Sequence, residues 1–330
     1  MGRYPRSDWR SLKAGVERSL LLSGAFPPST RISGRVKFLR AGLNHGNFVF
    51  RPLADEPLPS QAGCLVLRRI RSDPSGCATA VARLQAEAQT LRALDALPRG
   101  FATPRFICFV ADSDGVARAF IETAVVGWPL RFSNGGGEQS RMAIAAIGRA
   151  AASVHRLPVS HLQFLRSHAD ANAHRTAELS GLDADFLTHD KDAAAAIAWV
   201  RDHRPKPRRA VVLHGDWRPQ NVLLDLETRR LGVIDWEYAK IGDPAYDLAI
   251  VTRGNRKLLG IAWGLRRLVG AYLEAGGAAI ELTDIVIWEL LLALRWLRRS
   301  LQYERDGQRG GQPSANYRNL LRAILRRATE

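Results

Sequence analysis

Apolar and polar positions along this chain change period several times, and each change marks an element. From Asp8 to Leu22 the apolar residues Trp9, Leu12, Val16 and Leu20 recur at helical spacing, and Pro27-Pro28 ends the pattern, so the spacing predicts a helix there. Short apolar runs follow at Val36–Leu39, Phe48–Phe50 and Cys64–Leu67, separated by Gly-Leu-Asn-His-Gly and by proline-containing turns, the pattern of an antiparallel meander. Helical register returns between Thr79 and Leu97, where Val81, Leu84, Ala88, Leu91 and Leu94 fall on one face ahead of Pro98. Two further strands, Phe106–Val110 and Ala119–Ala124, flank the polar turn Asp112-Ser113-Asp114-Gly115. Five strands and one long helix make a small lobe.

Beyond Gly127-Trp128-Pro129 and Asn134-Gly135-Gly136-Gly137 the chain turns to long Ala- and Leu-rich helical segments. Only residues 211–235 interrupt them, with strand-like Val211–Leu213, Val222–Leu224 and Val233-Ile234. The expected organisation is an N-terminal helical extension (1–30), an antiparallel five-stranded lobe (31–126) and a mainly helical lobe (127–330), an α+β, two-lobed arrangement. At the C-terminus Tyr317, Leu320, Leu321, Ile324 and Leu325 share one helical face and Arg318, Arg322 and Arg326 another, which predicts a surface helix packed on its own domain.

Composition narrows the class. The length of 330 residues and 46% apolar content support two substantial cores. Arg3, Arg6, Asp8 and Arg10 break any leader-like apolar start, and no later run is long and uncharged enough to span a membrane. Cys64, Cys77 and Cys108 form no Cys-x-x-Cys pair, which favours a reducing cytoplasm. The formal charge of +16 comes from arginines scattered over the whole chain; no basic run interleaves with aromatics, so no nucleic-acid partner is expected.

The candidate chemistry lies in Leu213-His214-Gly215-Asp216-Trp217-Arg218-Pro219-Gln220-Asn221, followed by Val233-Ile234-Asp235-Trp236-Glu237 and Gly242-Asp243-Pro244. An Asp five positions before an Asn, with a second Asp at the end of the next apolar run, is the spacing that places a base and two metal ligands for phosphoryl transfer. Asp216 suits the proton acceptor, and Asn221 and Asp235 offer hard oxygen ligands for magnesium. His214 and His155 read as loop-bracing or core residues rather than as catalysts.

With these residues in order, the chain resembles the aminoglycoside phosphotransferase and choline kinase superfamily over nearly its whole length. The resemblance implies a bilobal protein-kinase-like fold and an enzyme that uses ATP or GTP with Mg2+ to phosphorylate a hydroxyl of a small molecule. In that family the residue matching Asp216 is the base, those matching Asn221 and Asp235 bind magnesium, and Asp243 and Asp247 brace the loop. The nucleotide-covering loop falls at residues 41–47, with Gly42, Asn44 and Gly46 allowing close backbone approach to phosphates.

The family's phosphate-binding Lys is replaced here by Arg68, since residues 66–69 read Val-Leu-Arg-Arg; alternation puts Val66 and Arg68 on one strand face and Arg69 on the other. Glu87 on the following helix is the expected partner of Arg68. Glu122, Thr123 and Ala124 occupy the place of the hinge whose backbone would bind adenine. Asp235 is followed by Trp-Glu, and no long activation segment intervenes, which argues for a small acceptor rather than a protein.

Trp288, Glu289 and Trp296, together with Leu292 and Tyr303, share one helical stretch and are the candidate acceptor contacts. The acidic group Asp183, Asp185, Asp190 and Asp192 is the only local concentration of carboxylates in a basic chain, so a neutral or anionic hydroxyl compound suits it at least as well as a polycationic antibiotic. The alternative function is a pseudokinase or nucleotide-binding regulator, suggested by Arg68. The expected assembly is a monomer or homodimer.

Overall fold

A computed structural model of the protein describes all residues except 1–5, 35, 40–44, 60–62, 71–76, 113, 133–136, 183–186, 188, 253–261, 308–311 and 330. Gly42, Asn44, Asp183 and Asp185 lie outside the described residues. The chain forms two compact units: Met1–Pro98, Ala102–Gly127 and Asp225–Tyr238 make the first, and Arg99–Phe101, Trp128–Leu224 and Ala239–Glu330 the second.

The first unit is built on a five-stranded antiparallel sheet of β1 (Lys37–Leu39), β2 (His45–Phe50), β3 (Leu65–Ile70), β4 (Phe106–Ala111) and β5 (Ala117–Thr123), ordered β1-β2-β3-β5-β4. Helix α1 (Arg6–Leu22) lays Leu12, Val16 and Leu20 on one face of the sheet, where they join Phe48, Phe50, Leu65, Leu67, Ala119 and Ile121 in a core. Full burial of each large aliphatic side chain there stabilises the fold by roughly 1.5–3 kcal/mol relative to leaving it in water. Alternation then turns Val66, Arg68, Phe120 and Glu122 to the other face, because Val66 pairs with Glu122 and Arg68 with Phe120.

Helix α2 (Cys77–Asp95) packs against the sheet with Leu84, Ala88, Leu91 and Leu94 fully buried. A two-residue ladder pairs Arg31–Ile32 with Pro52–Leu53. The strand Leu231–Val233 joins this unit through Ala102, whose N–H donates to the Leu231 carbonyl and whose carbonyl accepts from Val233 N–H, both at 2.8 Å.

The second unit is mainly helical: α3 (Glu138–His155), α4 (Ala171–Ser180), α5 (Lys191–Asp202), α6 (Ala245–Val251), α7 (Ala262–Glu274), α8 (Leu282–Arg305) and α9 (Ser314–Thr329). Short strands β6 (Trp128–Pro129) and β8 (Val222–Leu224) pair antiparallel, as do β7 (Val211–Leu213) and β9 (Lys240–Gly242). Helix α8 is buried almost all round over Asp284–Leu294, the mark of a central core helix. Gly148 lets α3 approach α7 closely, since a Cβ at that position would lie 2.7 Å from the Leu268 carbonyl oxygen.

Helix α9 buries Leu320, Leu321 and Ile324 against α5 and α8 of its own unit, as its pattern predicts. Arg318 and Arg322 pair with Asp190 and Asp192, and Asp190 also caps α5 by accepting from Asp192 N–H and Ala193 N–H at 3.1 Å. Among the described residues no helix is long and apolar enough to cross a membrane.

Candidate active site

In the first unit the strand-helix cation is built as follows. Arg68 of β3 turns its guanidinium toward α2, and Nη2 stands 3.1 Å from Oε2 of Glu87, 2.7 Å from Oδ1 of Asp235 and 3.8 Å from Glu237. Burial works to lower the basicity of Arg68, but Glu87 and Asp235 outweigh it and hold the guanidinium above its ordinary value. Glu87 is fully enclosed and its own titration lies well above the usual carboxylate range, driven by burial and opposed by Arg68. Its Oε1 accepts the Trp236 N–H at 3.0 Å, which ties the residue after Asp235 to α2.

Asp235 itself adopts a left-handed backbone, with φ of 73°, a conformation that costs on the order of 1–3 kcal/mol outside glycine and is concentrated at functional sites. Glu122 joins the same face of the sheet; burial first, with Asp235 adding and Arg68 opposing, pushes its carboxyl up to about 7. Among the described residues the Arg68 guanidinium thus stands close to the carboxyl groups of Glu87, Asp235, Glu237 and Glu122, of which burial favours the protonated form of Glu87 and Glu122.

The second unit carries the His-Gly-Asp loop. Val212 and Leu213 are buried ahead of His214, and Gly215 takes φ of 82°, the left-handed turn that leads the chain into Asp216. Asp247, the fully buried acid of α6, holds this turn by accepting from His214 N–H (2.8 Å) and Gly215 N–H (2.9 Å) while meeting His155 Nε2 at 3.2 Å. Burial raises the Asp247 carboxyl, but the hydrogen bonds from His155 and the His214 backbone overcome it and keep the group below its ordinary value. His214 Nδ1 accepts the Asp216 N–H at 3.3 Å, and His155 Nδ1 meets the Tyr272 hydroxyl at 2.9 Å, so both histidines brace the loop as expected.

Past the turn, Pro219 opens the short 3-10 helix Pro219–Asn221. Asn221 Nδ2 donates to the Asp216 carbonyl (2.9 Å) and to Asp216 Oδ2 (3.2 Å), which fixes the amide so that its carbonyl oxygen faces away from Asp216. Arg218 Nε donates to the same Oδ2 at 2.9 Å, and its Nη2 reaches that oxygen as well.

Several sequence expectations need correction. Gly46 is not in a loop: β2 begins at His45, and Gly46 is a buried strand residue opposite Arg69. Glu122 and Thr123 lie in β5, within the strand that the sequence pattern predicts, and the Glu122 carboxyl lies in the Arg68 cluster. The N–H groups of Thr123 and Ala124 are already bonded to the Arg105 and Cys64 carbonyls at 3.0 and 2.9 Å. Arg69, on the opposite strand face from Arg68, is half-buried beside Asp112 at 3.6 Å.

Trp288 is fully enclosed, with its indole N–H donating to Asp243 at 2.7 Å and its ring against His174 and Tyr246. Glu289 is buried and pairs with Arg327. Trp296 is half-buried beside Tyr317. Sequence reasoning passed over Arg218 and Glu237; an Arg two positions after the proposed base was the available signal for the first.

A five-stranded antiparallel sheet with one long helix, and a helical unit carrying the His-Gly-Asp loop, define the protein-kinase-like fold. The solved macrolide 2'-phosphotransferase type I superposes with a TM-score of 0.63 at 21% identity, covering 99% of this chain and 98% of that one. The GDP complex of wild-type aminoglycoside 2'-phosphotransferase-IIIa gives a TM-score of 0.63 at 17% identity, over 96% of this chain and 99% of that one. The sequence profile of the phosphotransferase enzyme family matches residues 58–283, more than half of the chain, and the protein belongs to that family. An aminoglycoside 3'-phosphotransferase of Streptomyces ribosidificus is 31% identical over 178 residues, which are 48% of this chain and 62% of that relative. The chain therefore matches less than two thirds of that relative's length.

Proposed function

We propose that the protein is a small-molecule kinase that transfers the γ-phosphoryl group of ATP or GTP directly to a substrate hydroxyl, with Asp216 as the base. The observation that carries this reading is the state of the Asp216 carboxylate: Oδ2 takes all three donors from Arg218 and Asn221, while Oδ1 accepts from no described residue. A buried loop acid with one oxygen held and the other open is what proton removal from an acceptor hydroxyl requires. That proton passes to Oδ1 as the hydroxyl oxygen bonds to phosphorus in line, and the bond to the bridging oxygen breaks to release the nucleoside diphosphate.

Nucleotide use is supported by family membership and by the relative solved with GDP. Asn221 and Asp235 would hold magnesium, which when bound screens the charge of the phosphates. The Asp235 carboxylate and the Asn221 amide oxygen are both hard oxygen donors of the kind a divalent magnesium ion takes. Arg68 replaces the usual Lys as the cation paired with Glu87.

For the acceptor, the phosphotransferase relatives named for aminoglycosides and macrolides support a hydroxylated antibiotic, natural product or sugar. Trp288 and Glu289 drop out as acceptor contacts, since their polar groups bond within the unit. A second reading, a nucleotide-binding regulator with little turnover, is favoured by one observation: Arg68 bonds Asp235 directly. Magnesium-dependent nucleotide turnover against a panel of hydroxylated antibiotics and metabolites decides between them; binding without turnover selects the regulator.

A further inference from the structure

The proposed base is gripped by its own neighbour. Arg218 Nε lies 2.9 Å from Oδ2 of Asp216, Nη2 reaches the same oxygen, and the Arg218 N–H donates to the Asp216 carbonyl at 2.8 Å. The chain sets this up locally. Pro219 confines the residue before it to extended backbone, and Arg218 sits at φ −113°, ψ 152°, from which its side chain turns back over Asp216. The Asn221 N–H donates to the Arg218 carbonyl at 2.9 Å, so the backbone of Arg218 is fixed on both sides. The Arg218 side chain is 31% exposed and that of Asp216 11%, so the pair lies at the edge of the unit, where an acceptor can arrive.

We propose that Arg218 is a positioning residue for the reaction, holding the Asp216 carboxylate by a two-point grip on Oδ2 so that Oδ1 alone faces the acceptor hydroxyl. This inference rests on the phosphotransfer reading and concerns how the base is presented. Three donors on one oxygen stop the carboxylate from rotating about its Cβ–Cγ bond, which would otherwise exchange the held and open oxygens. The guanidinium also offsets the repulsion between an ionised Asp216 and an incoming phosphoryl group, whose oxygens carry like charge. Arg is required because Nε and Nη2 form a rigid fork; a Lys ammonium supplies the charge from a single point on a flexible stem. When the hydroxyl proton moves to Oδ1, the fork stays on Oδ2, and the neutral carboxyl later gives its proton to solvent.

The test uses the full chain with water as the acceptor, reading magnesium-dependent ATP hydrolysis in wild type, R218A, R218K and D216A. R218A is expected to lose about 10- to 100-fold in kcat, the scale of a misplaced reacting group, with the KM for ATP changed by less than about 3-fold. R218K should fall between R218A and wild type, and millimolar guanidinium ion should restore part of the R218A rate but none of that of D216A. Where R218A fails to fold, R218K carries the test: a folded R218K with wild-type kcat overturns the two-point grip. An R218A kcat equal to wild type, or a raised KM with kcat intact, overturns the proposal. A wild type that binds ATP yet turns over no faster than D216A, with water and with every member of a panel of hydroxylated acceptors, contradicts the phosphotransfer reading itself.

Discussion

Arg68 and Asp235, 167 positions apart in the chain, share an ion pair in which Nη2 stands 2.7 Å from Oδ1. The same nitrogen meets Glu87, so one guanidinium joins a strand, a helix and the loop that carries the proposed metal ligand. Replacing Arg68 by Met removes the guanidinium that stands 3.1 Å from the buried Glu87 carboxyl. Loss of one partner from a buried pair costs roughly 3–5 kcal/mol, and R68M is expected to lose stability on that scale in urea denaturation. An R68M protein as stable as wild type would show that the cluster is neutral in the folded state.

Glu122 gives the fold a pH signature. Its folded value of about 7 lies above the ordinary 4.5, so the folded protein binds the proton more tightly than the unfolded chain. The stability it contributes is fully present below about 4.5 and is lost as pH rises through about 7. Melting temperatures measured with EDTA and without nucleotide should therefore fall more steeply between these values in wild type than in E122Q. Parallel profiles for the two proteins would remove the assignment.

Asp247 holds the His214-Gly215 turn through two backbone N–H groups and His155, all buried. Asp247→Ala leaves those donors unsatisfied at the turn that aims Asp216, and it should cost about 3 kcal/mol or more together with most of the turnover. Because the Asp247 carboxyl is held below its ordinary value, its contribution is present at neutral pH and lost as the solution is acidified through that depressed value. Wild type and D247A should therefore converge in stability toward low pH. A gap between the two proteins that widens on acidification would reverse the assignment.

The sheet, α2 and the order of helices were legible because period-2 and period-3.6 patterns are local properties of the chain. The strand-helix partnership of Arg68 and Glu87 followed from alternation and from family position. What the pattern could not reveal were non-local pairings. The Arg31–Ile32 and Pro52–Leu53 ladder is too short to show a period. The attachment of Leu231–Val233 to Ala102 depends on hydrogen bonds between segments more than 100 residues apart.

The aromatic-acidic stripe on α8 misled for a physical reason: Trp288 and Glu289 satisfy their polar groups with Asp243 and Arg327, which sequence spacing does not encode. Arg218 was hidden because a charged residue beside a proline usually reads as solvated loop. Its importance lies in a side-chain direction set by the Pro219 backbone restriction.

The role of Asp216 as the base of a phosphotransfer reaction is tested by magnesium-dependent release of nucleoside diphosphate from wild type and D216A across a panel of hydroxylated acceptors. Wild type is expected to turn over with at least one acceptor. D216A should bind nucleotide and melt like wild type but lose about 100-fold or more in kcat, within the range general-base catalysis supplies. A D216A protein with wild-type turnover would rule out Asp216 as the base.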